Sequence, residues 1–265
     1  MPTDRLTDVP AEVLAAIAEA TGPVVKTEPV GSGFNSEIAA RVHTDTATVF
    51  VKGLRTDHPR VWTQQREAEI NPYVQGIAPR LLWRLEAAGW DLLGFEAVDG
   101  HHADYAPDSP DVPLVAAALR RLGEVPCPDV LLKAMPDRMA AYSDTPQLFA
   151  GDRLLHTDGN NTNVLVHDGR ALLVDWAWAS QGAGWIDPAL WVIWLIGGGH
   201  TADQAELWAG ALPAWEEAPR AAVNAFAQAS ARLWREIAAA DPDPWTQRME
   251  AAARTWTRHR GGSAQ

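Results

Sequence analysis

Apolar positions in the first hundred residues change period several times, and each change marks an element. Val13, Leu14 and Ile17 form a stripe at helical spacing, with Thr7-Asp8 as cap candidates, Pro10 near the first turn and Gly22-Pro23 closing it. From Val24 the period drops toward two. Val24-Val25-Lys26 leads to the loop Gly31-Ser32-Gly33-Phe34-Asn35-Ser36, and Ile38 to Val42 and Thr48 to Lys52 predict a hairpin around His43-Thr44-Asp45. A second helical segment begins at Pro59 and carries Val61, Trp62, Glu67 and Ile70. Pro72 ends it, because proline removes a donor and clashes with the preceding turn. Arg80 to Leu85 and Asp91 to Val98 predict two more strands, separated by Ala87-Ala88-Gly89.

Past Asp99-Gly100 the texture changes. Prolines and aspartates between His101 and Pro113 mark a loop or linker. Helical patterns run from Val112 to Glu124 and from Val130 to Tyr142, and short strands occupy Leu154 to Val174. The chain after Asp187 reads as helix, interrupted at Gly197 to Gly199, Pro213, Pro219 and Pro242. The expected architecture is an α+β fold of two lobes with a cleft between them: a small β-rich lobe over residues 1–98 and a larger helical lobe over 99–265.

Composition narrows the partners. The 265 residues are 47% hydrophobic, enough for a sizeable core, and carry a net charge of -12, which argues against nucleic acid because phosphate backbones need a basic face. The richest apolar run, Ala189 to Ile196, stops at Gly197 and falls short of the ~20 residues of a membrane span. Met1-Pro2-Thr3-Asp4-Arg5 lacks the basic start and apolar stretch of a signal peptide, so the expected location is the cytoplasm. A single cysteine, Cys127, excludes an intrachain disulfide and a multi-cysteine zinc site. Arginine is the default cation: only Lys26, Lys52 and Lys133 are lysines, so a lysine inside an apolar strand needs its own reason. Ten of the thirteen tryptophans lie from Trp176 onward and are read as core packing.

The sharpest chemistry lies in Leu154-Leu155-His156-Thr157-Asp158-Gly159-Asn160-Asn161-Thr162-Asn163-Val164-Leu165-Val166, followed by Ala171-Leu172-Leu173-Val174-Asp175-Trp176. Two strand-like pieces bracket a polar loop, and a third delivers an acid at its end. Asp158, Asn163 and Asp175 are the hard oxygen ligands that Mg²⁺ favours, and one carboxylate can instead orient a hydroxyl and accept its proton. Gly31-Ser32-Gly33 lies between strands, where backbone amides could cradle phosphates or simply form a turn.

His-x-Asp, four residues, Asn, then a strand ending in Asp is the signature of the protein-kinase-like fold, and the match resembles the aminoglycoside phosphotransferases and their choline-kinase-like relatives over about Gly31 to Leu190. The resemblance implies a nucleotide-binding first lobe and a catalytic, acceptor-binding second lobe. It implies ATP, with GTP left open, and Mg²⁺ held by Asn163 and Asp175. It makes Asp158 the catalytic aspartate, and it places the nucleotide on the loop Gly31 to Ser36, including Ser32, Gly33, Phe34 and Asn35. Lys52 would pair with the phosphates and with a helix glutamate, Glu67 or Glu69. Glu67 is favoured because Ile70 shares its face. Glu96-Ala97-Val98 stands where backbone groups receive adenine, and Asp187 matches a structural acid expected as a helix cap. His156 is read as structural rather than as a metal ligand. Asn160 stands where the family usually carries a basic or imidazole residue, Gly159 replaces its leucine and Asn161 its frequent proline.

Twelve positions separate Asp175 from Asp187, too few for the activation segment of a protein kinase, so a small-molecule acceptor is expected. Residues 1–98 hold nine basic and thirteen acidic residues, and 99–265 thirteen and twenty-one. The acidic second lobe suits a cationic acceptor, with Asp104, Asp108, Glu216, Glu217 and Trp178 as contacts. The favoured acceptor is an aminoglycoside-type antibiotic; choline, an amino alcohol or a sugar are alternatives. Two rival functions are a nucleotide-binding regulator without turnover and a metal-dependent hydrolase built on His156, Asp158 and Asp175. Oligomeric state is not readable from the sequence.

Overall fold

A computed structural model describes residues 6–31 and 36–262. They form two compact units. One takes the chain up to Asp99 together with Asp175–Ala177, and the other takes Gly100–Val174 and the chain from Trp178 onward. The three-residue return at Asp175 is a difference from the contiguous division at residue 98. Its cause is local bonding, described below.

The first unit contains α1 (Ala11–Thr21), β1 (Val24–Pro29), β2 (Ile38–Thr44), β3 (Thr48–Arg55), α2 (Trp62–Ile70), β4 (Leu81–Ala87) and β5 (Trp90–Glu96). Its antiparallel sheet has the order β1-β2-β3-β5-β4, so β3 is central. Alternation sends Ile38, Ala40, Val42, Val49, Val51 and Leu92 to one face, where they pack on Val13 and Ile17 of α1. Trp83 lies across Gly94 on this unit's sheet and leaves no room for a Cβ there. The β4–β5 hairpin turns through Ala88 and Gly89 at φ 48° and 80°, the left-handed pair that a two-residue turn between twisted strands requires.

Two boundaries differ from expectation. Helix α1 starts after Pro10 without a side-chain cap, because Leu6 and Val9 are buried and a 3-10 turn at Leu6–Asp8 folds them back onto the core. Helix α2 starts at Trp62 rather than Pro59, the intervening residues being spent on turns bonded His58 to Arg55 and Val61 to His58. At its end Asn71, buried, donates Nδ2–H to Pro79 O and accepts the Leu81 N–H, both at 2.8 Å. These bonds fasten the end of α2 to the start of β4.

The second unit contains β6 (His101–His102), α3 (Val112–Gly123), β7 (Lys133–Ala134), α4 (Met135–Met139), β8 (Arg153–Leu155), β9 (Val164–His167), β10 (Arg170–Leu173) and β11 (Ser180–Gly182). The helices α5 (Ile186–Gly197), α6 (Ala202–Gly210), α7 (Pro213–Glu216), α8 (Arg220–Ala240) and α9 (Pro244–Gly262) follow. Small sheets of order β10-β9-β6 and β7-β11-β8 frame the polar loop between β8 and β9. The helix expected over Val130 to Tyr142 is reduced to Met135–Met139. Lys133 and Ala134 instead pair in parallel with Ser180 and Gln181, a long-range partner that a local pattern does not reveal.

Helix α5 is apolar around its whole circumference and is buried accordingly, packing on α6 and α9. The tryptophans largely fill the core as expected: Trp176, Trp191 and Trp256 are at most 1% exposed, and Trp194 and Trp234 pack on each other with centroids 5.7 Å apart, while Trp245, 43% exposed, covers them from the surface. No described helix is long and apolar enough to cross a membrane.

Candidate active site

The first unit supplies a buried cation. Lys52 lies on central strand β3 on the face opposite Val51, and its Nζ donates to Glu67 Oε2 at 2.6 Å and lies 3.4 Å from Asp175 Oδ1. Lys52 and Glu67 are 8% and 4% exposed, so the pair is held away from water. Burial works against the ammonium, but the Asp175 and Glu67 carboxylates outweigh it and hold Lys52 above its ordinary value. Burial also pushes the Glu67 carboxyl up, against the pull of Lys52. Glu67 additionally accepts the backbone N–H of Trp176. These bonds from Glu67 and Lys52 draw Asp175–Ala177 into the first unit. Glu69 is bonded to Gln65 instead.

Of the expected nucleotide loop, Ser32, Gly33, Phe34 and Asn35 lie outside the described residues; Gly31 is exposed and Ser36 half-buried. Glu96 turns its side chain to Arg80, accepting that residue's backbone N–H at 2.9 Å. The Val98 carbonyl accepts from Arg41 Nη1 at 3.0 Å, while the Val98 N–H has no hydrogen-bond partner among the described residues. Val98 stands at the position where the resemblance places the adenine edge.

The second unit supplies a carboxylate with both oxygens engaged. Asp158 Oδ1 accepts from Asn160 Nδ2 at 2.8 Å and Oδ2 from Asn163 Nδ2 at 2.9 Å. Asn160 also accepts the Thr162 N–H, capping the 3-10 turn that carries Asn163. Because the Asn163 amide spends its N–H groups on Asp158, its Oδ1 is left without a partner among the described residues. That oxygen is a hard donor of the kind that suits Mg²⁺. No group of three or more His, Cys, Asp or Glu that could hold a metal occurs among the described residues. Two protein ligands with phosphate and water completing the shell is the usual Mg²⁺ arrangement.

The loop is braced from beneath. His156 Nδ1 accepts the Asp158 N–H at 3.3 Å and Nε2 donates to Val174 O at 3.0 Å, so both ring nitrogens are occupied by backbone. Asp187, in the first turn of α5, is not a helix cap: its two oxygens accept the N–H groups of His156 and Thr157 at 2.8 Å each. Burial raises its carboxyl above the usual range. Tyr105, buried, donates its hydroxyl to Gly159 O at 2.8 Å. Burial and the Asp158 charge push that hydroxyl well above its ordinary value, so it stays a donor.

The acceptor contacts are scattered. Trp178 is half-buried, and the Arg138 guanidinium lies over its ring at 5.8 Å. Asp104 is exposed and accepts the Ala106 N–H; Asp108 is exposed at φ 67°. Glu216 and Glu217 are exposed on and after α7, whose Ala214 touches Gly123 at the end of α3, and no described bond ties them to the catalytic loop. Sequence reasoning missed Tyr105, Arg41 and Arg138, which carry no local signal. It noted Asn160 only as a departure.

No family model matches the sequence, and no curated protein matches it. Solved structures do. Choline kinase LicA from Streptococcus pneumoniae is similar with a TM-score of 0.65 at 13% identity, over 93% of this chain and 98% of that one. Aminoglycoside phosphotransferase APH(4)-Ia is similar with a TM-score of 0.60 at 15% identity, over 92% and 98%. A thermostable mutant of the latter, in ternary complex with AMP-PNP and hygromycin B, gives 0.61 at 14% identity over 92% and 98%.

Proposed function

We propose that this chain, which has the protein-kinase-like fold, is an ATP-dependent phosphotransferase. It would move the γ-phosphoryl group to a hydroxyl of a small cationic acceptor of aminoglycoside type. The observation that carries the reading is the buried Lys52–Glu67 pair beside Asp175. A charged lysine in a strand interior is expensive to desolvate, and in a chain that otherwise uses arginine it is explained by phosphate oxygens as its working partner.

Asp158 orients the acceptor hydroxyl and takes its proton at a carboxylate oxygen. Asn160 and Asn163 fix the carboxylate's plane, so little reorganisation is needed when the hydroxyl arrives. Lys52, aimed by Glu67, neutralises charge on the phosphate oxygens, and the open Val98 N–H offers a donor to adenine. Asn163 Oδ1 and Asp175 would hold Mg²⁺, which supplies charge neutralisation to the phosphates. The chain lacks a basic residue at Asn160, so Lys52 carries more of that task than a loop cation would. The acidic second unit supports a cationic acceptor, whether an antibiotic or an amino alcohol such as choline.

The test is ADP release from Mg-ATP by purified protein across aminoglycosides, other cationic antibiotics, choline-like alcohols and sugars, alongside Asp158→Asn. Turnover with one chemical class, lowered about 10²–10⁴-fold in the variant with ATP affinity nearly unchanged, is expected. ATP binding without ADP release on any acceptor would favour the silent regulator, and full activity in Asp158→Asn would refute the assignment.

A further inference from the structure

We propose that Arg138 of α4 is a positioning residue for phosphoryl transfer, acting on Asp158 through Thr157; this rests on the functional reading above. Thr157 immediately precedes Asp158 and sits at φ 65°, in the left-handed region that a β-branched residue rarely enters. Such a backbone persists only where its surroundings hold it. At Thr157 they hold it from two sides. Asp187 takes its N–H at 2.8 Å. Arg138 Nη1 donates to its Oγ1 at 2.6 Å, and the same hydroxyl donates to Trp178 O at 2.8 Å.

Arg138 is itself fixed. Its Nη1 also lies 2.8 Å from Trp178 O and 2.8 Å from Ser180 Oγ, and its guanidinium rests over the Trp178 ring. Met135 and Met139, on the same short helix, are 2% and 4% exposed and anchor α4 in the core. Three oxygens therefore converge on one nitrogen. Without a cation there, the Thr157 hydroxyl keeps only the Trp178 carbonyl, and the backbone at Thr157 is released toward the right-handed region. Rotation at that residue swings the Asp158 side chain away from the acceptor hydroxyl. The nucleotide contacts assigned to Lys52 and Val98 lie on other segments and are not part of this network.

The experiment compares Arg138→Met, Arg138→Lys, Thr157→Val and the Met/Val double variant. Arg138→Met should lower kcat on the order of 10²-fold, the scale of a misplaced catalytic group, with KM for ATP unchanged. Arg138→Lys should restore most of the rate, since a single ammonium can meet three oxygens that converge on one point. Thr157→Val should cost little more in the Met background, because both changes cut one link. Hydrogen exchange of the 156–158 amides, read by mass spectrometry, should quicken at least tenfold in Arg138→Met while α8 and α9 stay protected. Full kcat in Arg138→Met, multiplying losses in the double variant, or unchanged exchange would overturn the proposal. Should the wild-type protein turn over no acceptor, the functional reading fails, and the exchange result still decides whether Arg138 holds Thr157.

Discussion

Replacing Lys52 by Met tests the buried pair where its energetics are sharpest. At 2.6 Å the attraction between Lys52 and Glu67 is about 6 kcal/mol at an effective dielectric of ~20, and part of it offsets the cost of removing both charges from water. Removing only the lysine leaves Glu67, 4% exposed, beside Asp175 with no counter-charge. Breaking a buried pair in this way costs about 3–5 kcal/mol. The loss depends on pH, because Glu67 can escape its charge by taking a proton. Its folded-state value, already raised by burial, rises further without Lys52. A carboxyl raised on folding holds its proton more tightly in the folded state, so stability falls as pH climbs through the folded value. The deficit should therefore be larger at pH 8 than at pH 5. Urea midpoints followed by circular dichroism at both pH values measure it. The Lys52→Met/Glu67→Gln pair should recover most of the stability at pH 8 while remaining inactive, since the neutral amide at that position can still accept the Trp176 N–H. A deficit below about 1 kcal/mol, or one equal at pH 5 and 8, would refute the reasoning.

Asp187→Asn keeps one acceptor for the His156 and Thr157 amides but turns an N–H toward the other; a loss of about 1–3 kcal/mol in the urea midpoint is expected, together with a fall in kcat. Gly94→Ala forces a methyl against the Trp83 indole, and an overpacking loss of about 1–3 kcal/mol should appear without change at the second unit's amides in hydrogen exchange. Asn163→Ala should raise the Mg²⁺ concentration needed for half-maximal ADP release, whereas an unchanged Mg²⁺ dependence would remove that residue from the metal site.

Much of the first unit was legible because its signals are local. Alternating apolar residues place Val49 and Val51 on one face and Lys52 on the other, and the break at Ala87-Ala88-Gly89 marks the turn between β4 and β5. The choice between Glu67 and Glu69 was legible through Ile70, whose burial turns the same helical face inward. The stretch from Val130 to Tyr142 was not, because its strand partner lies almost fifty residues away in β11. Arg138 was invisible for the same reason: its role comes from oxygens on residues 157, 178 and 180. The loop motif gathered Asn163 with Asp158 but marked Asn160, the other partner, only as a departure. It did not predict that both carboxylate oxygens would be spent on asparagine amides, a matter of rotamers that spacing does not determine.

The fastening of α2 bears on how far Glu67 can move. A helix that carries one half of a buried ion pair makes or breaks that pair if it swings. Here its last turn runs into Asn71, whose buried amide is stitched to Pro79 and Leu81, and Gln75 donates back to Asn71 as well. Withdrawing Glu67 would require tearing that stitching and stranding a buried amide, at about 1–3 kcal/mol for each group left unpaired. An on–off swing is thereby made costly, and the helix behaves as a fixture of the sheet. Lys52 thus meets its partner in one fixed geometry, ready-made rather than assembled on demand.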